Sequence, residues 1–75
     1  MAKKTASDSS IARVTEVIST SDKSFEDAVS NGIKRASKTL RGIRGAWVKE
    51  MKVDVDDGNV TRYRVDMLVT FVVEE

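Results

Sequence analysis

Tyr63, Val65, Met67, Val69, Phe71 and Val73 occupy every second position, with no proline or glycine among them. Successive side chains of a strand point to opposite sides, so this set can be buried together only as one face of a β-strand. The intervening residues Arg62, Arg64, Asp66, Leu68, Thr70 and Val72 leave the other face mixed rather than polar. Upstream, Trp47, Met51, Val53 and Val55 are read as one face of a second long strand, with Lys49 interrupting the set. Asp56-Asp57-Gly58-Asn59 between the two is hairpin chemistry: glycine or asparagine takes a positive φ, and the aspartates bond back to the turn.

Before these strands the pattern changes. Phe25, Ala28, Val29, Gly32, Ile33, Ala36 and Leu40 recur at three- and four-residue spacing and predict a helix over Ser24–Arg41. Ser24 is its N-cap, and Glu26 and Asp27 place negative charge at the amino end. Lys34, Arg35, Lys38 and Arg41 fall toward the carboxyl end, and Gly42 supplies a left-handed stop. Ile11 to Ser19, rich in β-branched residues, predicts a first strand with a turn at Thr20–Lys23. Residues 1–10 are small and polar and read as a flexible arm, so residues 11–75 form the single domain. The order strand, helix, strand, strand is an α+β layout, with one helix against an antiparallel sheet. Strands this long reach about 35–45 Å, more than one helix can cover.

The chain has 75 residues, 40% apolar and 5% aromatic, with no cysteine and no histidine. Disulfides and zinc held by cysteine or histidine are excluded, so self-association is the remaining way to supplement a small core. The same absences remove the Ser–His–Asp arrangement, the thiolate nucleophile and the imidazole base, and an enzyme is not expected. A net charge of +1 gives no overall pull toward nucleic acid or membrane. No apolar run exceeds the three residues of stretches such as Met67 to Val69, too short for a span, and a cytoplasmic protein is the default.

Four features are weighed as sites. Asp54, Asp56 and Asp57 carry carboxylates near a glycine, but the order of a calcium loop is broken and Val65 stands where its bidentate glutamate belongs. Lys34, Arg35, Lys38, Arg41 and Arg44 allow a nucleic-acid face, with Trp47 the only large aromatic nearby for stacking. Trp47 is a packing anchor or a ligand platform. Arg64, away from the core face, is an exposed sheet arginine or a forked donor to a carbonyl or phosphate.

Val14-Thr15-Glu16-Val17-Ile18-Ser19-Thr20-Ser21 followed by Phe25-Glu26-Asp27-Ala28 resembles the start of a dodecin. Arg35-Ala36-Ser37-Lys38-Thr39-Leu40-Arg41, Val48-Lys49-Glu50 and Tyr63-Arg64-Val65-Asp66-Met67-Leu68-Val69-Thr70-Phe71 continue the likeness, which runs from Val14 to Glu74. The resemblance implies a β-α-β-β fold, a three-stranded antiparallel sheet wrapped partly round one helix, and a hollow homododecamer built from trimers. It also implies a binding or storage protein for flavin, riboflavin or FMN, held as stacked pairs between subunits. Dodecins that bind flavin usually have a stacking tryptophan where this chain has Gly45, and a glutamine at the flavin edge where it has Arg64. Trp47 lies two positions on and is expected on the same sheet face as Gly45. The expected cofactor site is therefore Gly45, Trp47 and Arg64. The alternative is a flavin-free shell that is structural or binds calcium or magnesium, with Asp54, Asp56 and Asp57 as its carboxylates.

Overall fold

The computed structural model describes residues 11–73, so the arm expected over residues 1–10 lies outside the described residues. Strand β1 (Ala12–Ser21) leads to helix α1 (Phe25–Ala36), and strands β2 (Ile43–Asp56) and β3 (Asn59–Val72) complete the chain order. The sheet has the order β1-β3-β2 and both pairings are antiparallel. The alternating run thus forms the central strand, with a neighbour on each side. The expected α+β, β-α-β-β fold is what the chain adopts.

Helix α1 packs on β1 and β3. Val65, Met67 and Val69 of β3 and Ala28 of α1 are the fully buried apolar residues among those described, with Val17, Phe25, Val29, Ile33 and Ile43 packed around them. Phe25 meets Tyr63 edge to face at 5.1 Å between ring centres. Helix and sheet are in tight contact at Gly32, where an added Cβ would stand 2.8 Å from Met67 Cε and 2.9 Å from Ser19 Cβ. One turn earlier the Ser19 hydroxyl donates to the Ala28 carbonyl at 2.7 Å, tying strand to helix.

The helix begins as expected. Ser24 is extended and its Oγ accepts the Asp27 N–H at 2.9 Å. Ser21 adds a second fastening: its hydroxyl donates to Asp27 Oδ2 at 2.6 Å and accepts the Lys23 N–H at 2.9 Å. Because Ser21 also pairs with Tyr63, β1 runs two residues beyond Ser19. The carboxyl end needs correction, since the helix stops at Ala36 rather than Arg41. The Ser37 hydroxyl donates to the Ile33 carbonyl at 2.8 Å and that of Thr39 to Ala36 at 3.4 Å. Serine and threonine in this way offer the last carbonyls an alternative to the next helical turn. Lys38, Leu40 and Arg41 therefore lie in the connection, and Gly42 (φ 72°) turns that connection into β2.

The expected face of β2 is also corrected. The register shift between Val48 and Glu50 makes Lys49 an extra residue of β2 and breaks its alternation. The shift between Asp54 and Val55 places the extra residue, Thr61, in β3. Met51 and Val53 lie opposite Val65 and Tyr63 on the helix side. Trp47, opposite Leu68, faces the other way, whereas Val55 keeps the side of Val53 as expected. Each shift adds a residue to one strand only, which reverses the facing of that strand's residues beyond it. The hairpin closes through Asp57 (φ 52°) and Gly58 (φ 78°), a two-residue turn with both centres left-handed.

The radius of gyration is 15.9 Å and the extents are 58 × 20 × 17 Å. A compact chain of this length has a radius near 11 Å, so the long strands overhang their helix. On the helix side of β2, Met51 remains 56% exposed. Gly32→Val is expected to cost about 1–3 kcal/mol in stability through overpacking against Ser19. Chemical denaturation checks it, and an unchanged midpoint would show that the helix can lift off without cost.

Candidate functional site

The sheet face turned away from α1 carries the candidate site. Register arranges it in rows across β1, β3 and β2: Val14–Thr70–Gly45, Glu16–Leu68–Trp47, Ile18–Asp66–Glu50 and Thr20–Arg64–Lys52. Directly opposed residues share a face, so each row is a set of neighbours. Trp47 (63% exposed), Ile18 and Val14 leave apolar surface open on this side. Beside Gly45 there is room, since an added Cβ would meet only Thr70 Oγ1, at 3.7 Å.

Gly45 and Trp47 share this face, with the Trp47 row next to that of Gly45 and nearer Arg64. Arg64 is on the same side, but its row is four residues of β3 from the Trp47 row, roughly 13 Å. One protomer does not bring the indole and the guanidinium to a single small ring. Arg64 Nη2 donates to Asp54 Oδ2 at 3.0 Å, and both side chains are about one-third exposed. Its Nε–H is buried without an acceptor. This pairing takes Asp54 away from Asp56 and Asp57, which sit at the hairpin end. Among the described residues no group of three or more such side chains is gathered to hold a metal ion.

A second charged group, which sequence reasoning did not single out as a site, lies between the Trp47 and Arg64 rows. Lys49 belongs to the register shift of β2, and its Nζ reaches Glu16 Oε2 of β1 at 3.2 Å across the central strand. Asp66 adjoins this pair and its Oδ1 is buried without a partner. Contact with Asp66 and with Lys49 holds the Glu16 carboxyl below its ordinary range. Contact with Glu16, then burial, pushes Asp66 up. Glu16 raises Lys49. Glu16 thus stabilises the fold above its unfolded pKa, and that contribution is lost as pH falls through the folded value. Asp66 has the opposite sign: its contribution is complete at acid pH and is lost as pH rises through its raised value. The one warning in the sequence was Lys49 interrupting an apolar set.

The sequence profile of the family described as Dodecin matches residues 11–74. The chain belongs to the dodecin family. It is 35% identical over 60 residues to the dodecin of Thermus thermophilus, covering 80% of this chain and 87% of that one. It is 34% identical over 62 residues to the calcium dodecin of Mycobacterium tuberculosis, covering 83% and 87%. The solved dodecin from Streptomyces davaonensis superposes with a TM-score of 0.85 at 34% identity, over 89% of this chain and 98% of that one. Among the described residues of this dodecin no helix is long and apolar enough to cross a membrane.

Removing the Asp54 carboxylate leaves the half-buried Arg64 without its anion. Asp54→Asn in this dodecin is expected to lower stability by about 0.5–1 kcal/mol, a loss that shrinks in high salt. Denaturant melts at two ionic strengths measure it, and a salt-independent loss would exclude an electrostatic origin.

Proposed function

We propose that this dodecin assembles into a hollow homododecamer built from trimers and stores a flavin, riboflavin or FMN, between protomers. The observation that carries the reading is Trp47, a 63% exposed indole in the uncovered apolar part of the sheet. Stacking a planar ring on such an indole is worth about 0.5–1.5 kcal/mol beyond the area it buries. Trp47 supplies the π surface, and the open space at Gly45 gives the ring room. Arg64 contacts the polar edge, where its unbonded Nε–H gains from a ligand acceptor. An arginine only donates, so the ligand must present acceptors there, as the flavin carbonyls and the FMN phosphate do. With the two rows roughly 13 Å apart along β3, one ring meets Trp47 from one protomer and Arg64 from another.

A bound flavin brings light absorption and redox reactivity, and the protein's part is to hold and buffer it. Gly45, Trp47 and Arg64 supply neither a nucleophile nor a paired acid and base at the ligand, so the role is storage rather than catalysis. The partners are copies of the same chain and the small ligand, with neither nucleic acid nor membrane, and the location is the cytoplasm.

The calcium dodecin among the relatives supports a second reading, a shell that holds calcium or magnesium through Asp54, Asp56 and Asp57. The Arg64–Asp54 ion pair weighs against it, because a cation there would compete with the guanidinium.

Titration with riboflavin and with FMN is expected to quench Trp47 emission, and Trp47→Ala to weaken binding at least about tenfold. Sedimentation of the same sample is expected to give a dodecameric mass. Absence of quenching at high micromolar protein removes the flavin reading. Heat on adding calcium or magnesium, lost in D56N, would put the second reading in its place, and comparing the two ions identifies the cation.

A further inference from the structure

The middle of the open sheet face gathers charge from all three strands: Glu16 from β1, Lys49 and Glu50 from β2, and Asp66 from β3. Three carboxylates thus stand against one ammonium, and Lys49 is engaged by Glu16 at 3.2 Å. The next cations on this face, Lys52 and Arg64, are one row further, and Arg64 is bound to Asp54 at 3.0 Å. Beyond them Arg62 lies opposite Asp54. Helix α1 is on the other side of the sheet and contributes no charge here. Asp66 is left beside Glu16 with Oδ1 buried and without a donor.

Two adjoining carboxylates resist ionising together, and a buried acceptor without a donor is costly. One proton relieves both conditions, since a neutral Asp66 can donate to an ionised Glu16. We infer that Glu16 and Asp66 share one proton, and that this proton favours the seating of a second copy of the chain on the open face. The raised titration of Asp66 and the lowered titration of Glu16 have the signs this requires. The apolar residues Val14, Ile18 and Trp47 that flank the pair are the surface a second copy would seal. Sealing removes Asp66 further from water and tightens its hold on the proton. Association then takes up a proton, and the association constant falls by up to about tenfold per pH unit above the free protomer's midpoint. This coupling rests on the self-association proposed above; the shared proton itself does not.

The test uses the full chain. Trp47 is the only tryptophan and lies in the same row as Glu16, so its emission reports the charge on the pair. A titration of that emission from about pH 3 to 8 is expected to show a midpoint above the ordinary aspartate range near 4. The midpoint vanishes in D66N and moves down in E16Q. Sedimentation velocity across the same range is expected to show mass falling as pH rises in the native chain, with no such dependence in D66N. A midpoint in the ordinary range, or one that survives D66N, overturns the shared proton. Constant oligomer mass beside a raised midpoint overturns the coupling. A single chain at every pH overturns both the self-association and the coupling, while the fluorescence still decides the proton. Should D66N fail to fold by circular dichroism, E16Q alone carries the test: an unmoved midpoint refutes the shared proton.

Discussion

A mismatch of lengths governs this molecule. Helix α1 has 12 residues and is about 18 Å long, whereas β3 has 14 and extends about 46 Å. The helix can bury only the middle of one sheet face, where Val65, Met67 and Val69 lie beneath Ala28 and Gly32. Outside that footprint the sheet is held by strand pairing and by a few side-chain ties such as Glu16–Lys49 and Asp54–Arg64. The result is a well-made ladder with little core, and its remaining apolar groups are stabilised only by further burial. Among the described residues both edge strands are also unpaired on their outer sides, which adds backbone groups that another chain can satisfy.

The register shift at Lys49 gives the open face its chemistry. Without it, Trp47 and Met51 would share one side of β2, as a strict two-residue period requires. With it, Met51 stays on the helix side while Trp47 turns outward. Lys49 can then reach over β3 to Glu16 on the far strand. A strand without a bulge repeats one facing rule along its length; a bulge re-aims side chains locally and so places an indole and an ammonium on the same side. The aromatic platform and the charged cluster therefore share one structural cause.

Much of this was legible in the sequence where local and tertiary demands agree. The alternation of β3 is enforced by burial, the Asp57-Gly58 turn by backbone sterics, and the helix start by Ser24 and its acidic first turn. The end of the helix was not legible, because Leu40 fits the apolar stripe. Its fate was decided by hydroxyl bonds from Ser37 and Thr39, each small in energy beside the pattern they override. The facing of β2 was not legible either, since a bulge leaves no composition signal beyond one lysine in an apolar series. Gly45 and Trp47 share a face as their two-residue spacing suggested, and Arg64 lies on that side too. Trp47 was also grouped with Met51 and Val53, however, which face the helix. The spacing of Gly45, Trp47 and Arg64 depends on the pairing of three strands, which no single segment encodes, and the Glu16–Lys49–Asp66 cluster joins positions from all three.

The distribution of charge on the open face bears on what can cover it. Arg64 is neutralised by Asp54 and Glu16 by Lys49, so two of the ion pairs that burial requires are already made within the protomer. Internally paired charges lose less on desolvation than isolated ones, because their attraction grows as water leaves. Asp66 and Glu50 have no such partner, so a surface placed over them must bring donors, admit water or find one of them protonated. Trp47 and Leu68 form the apolar edge of the same region and favour exclusion of water. The boundary between these two demands runs between adjacent rows of one sheet, about 7 Å apart. Whatever seats on this face must be apolar at one end and, at the other, bring donors, leave room for water or meet a protonated carboxylate.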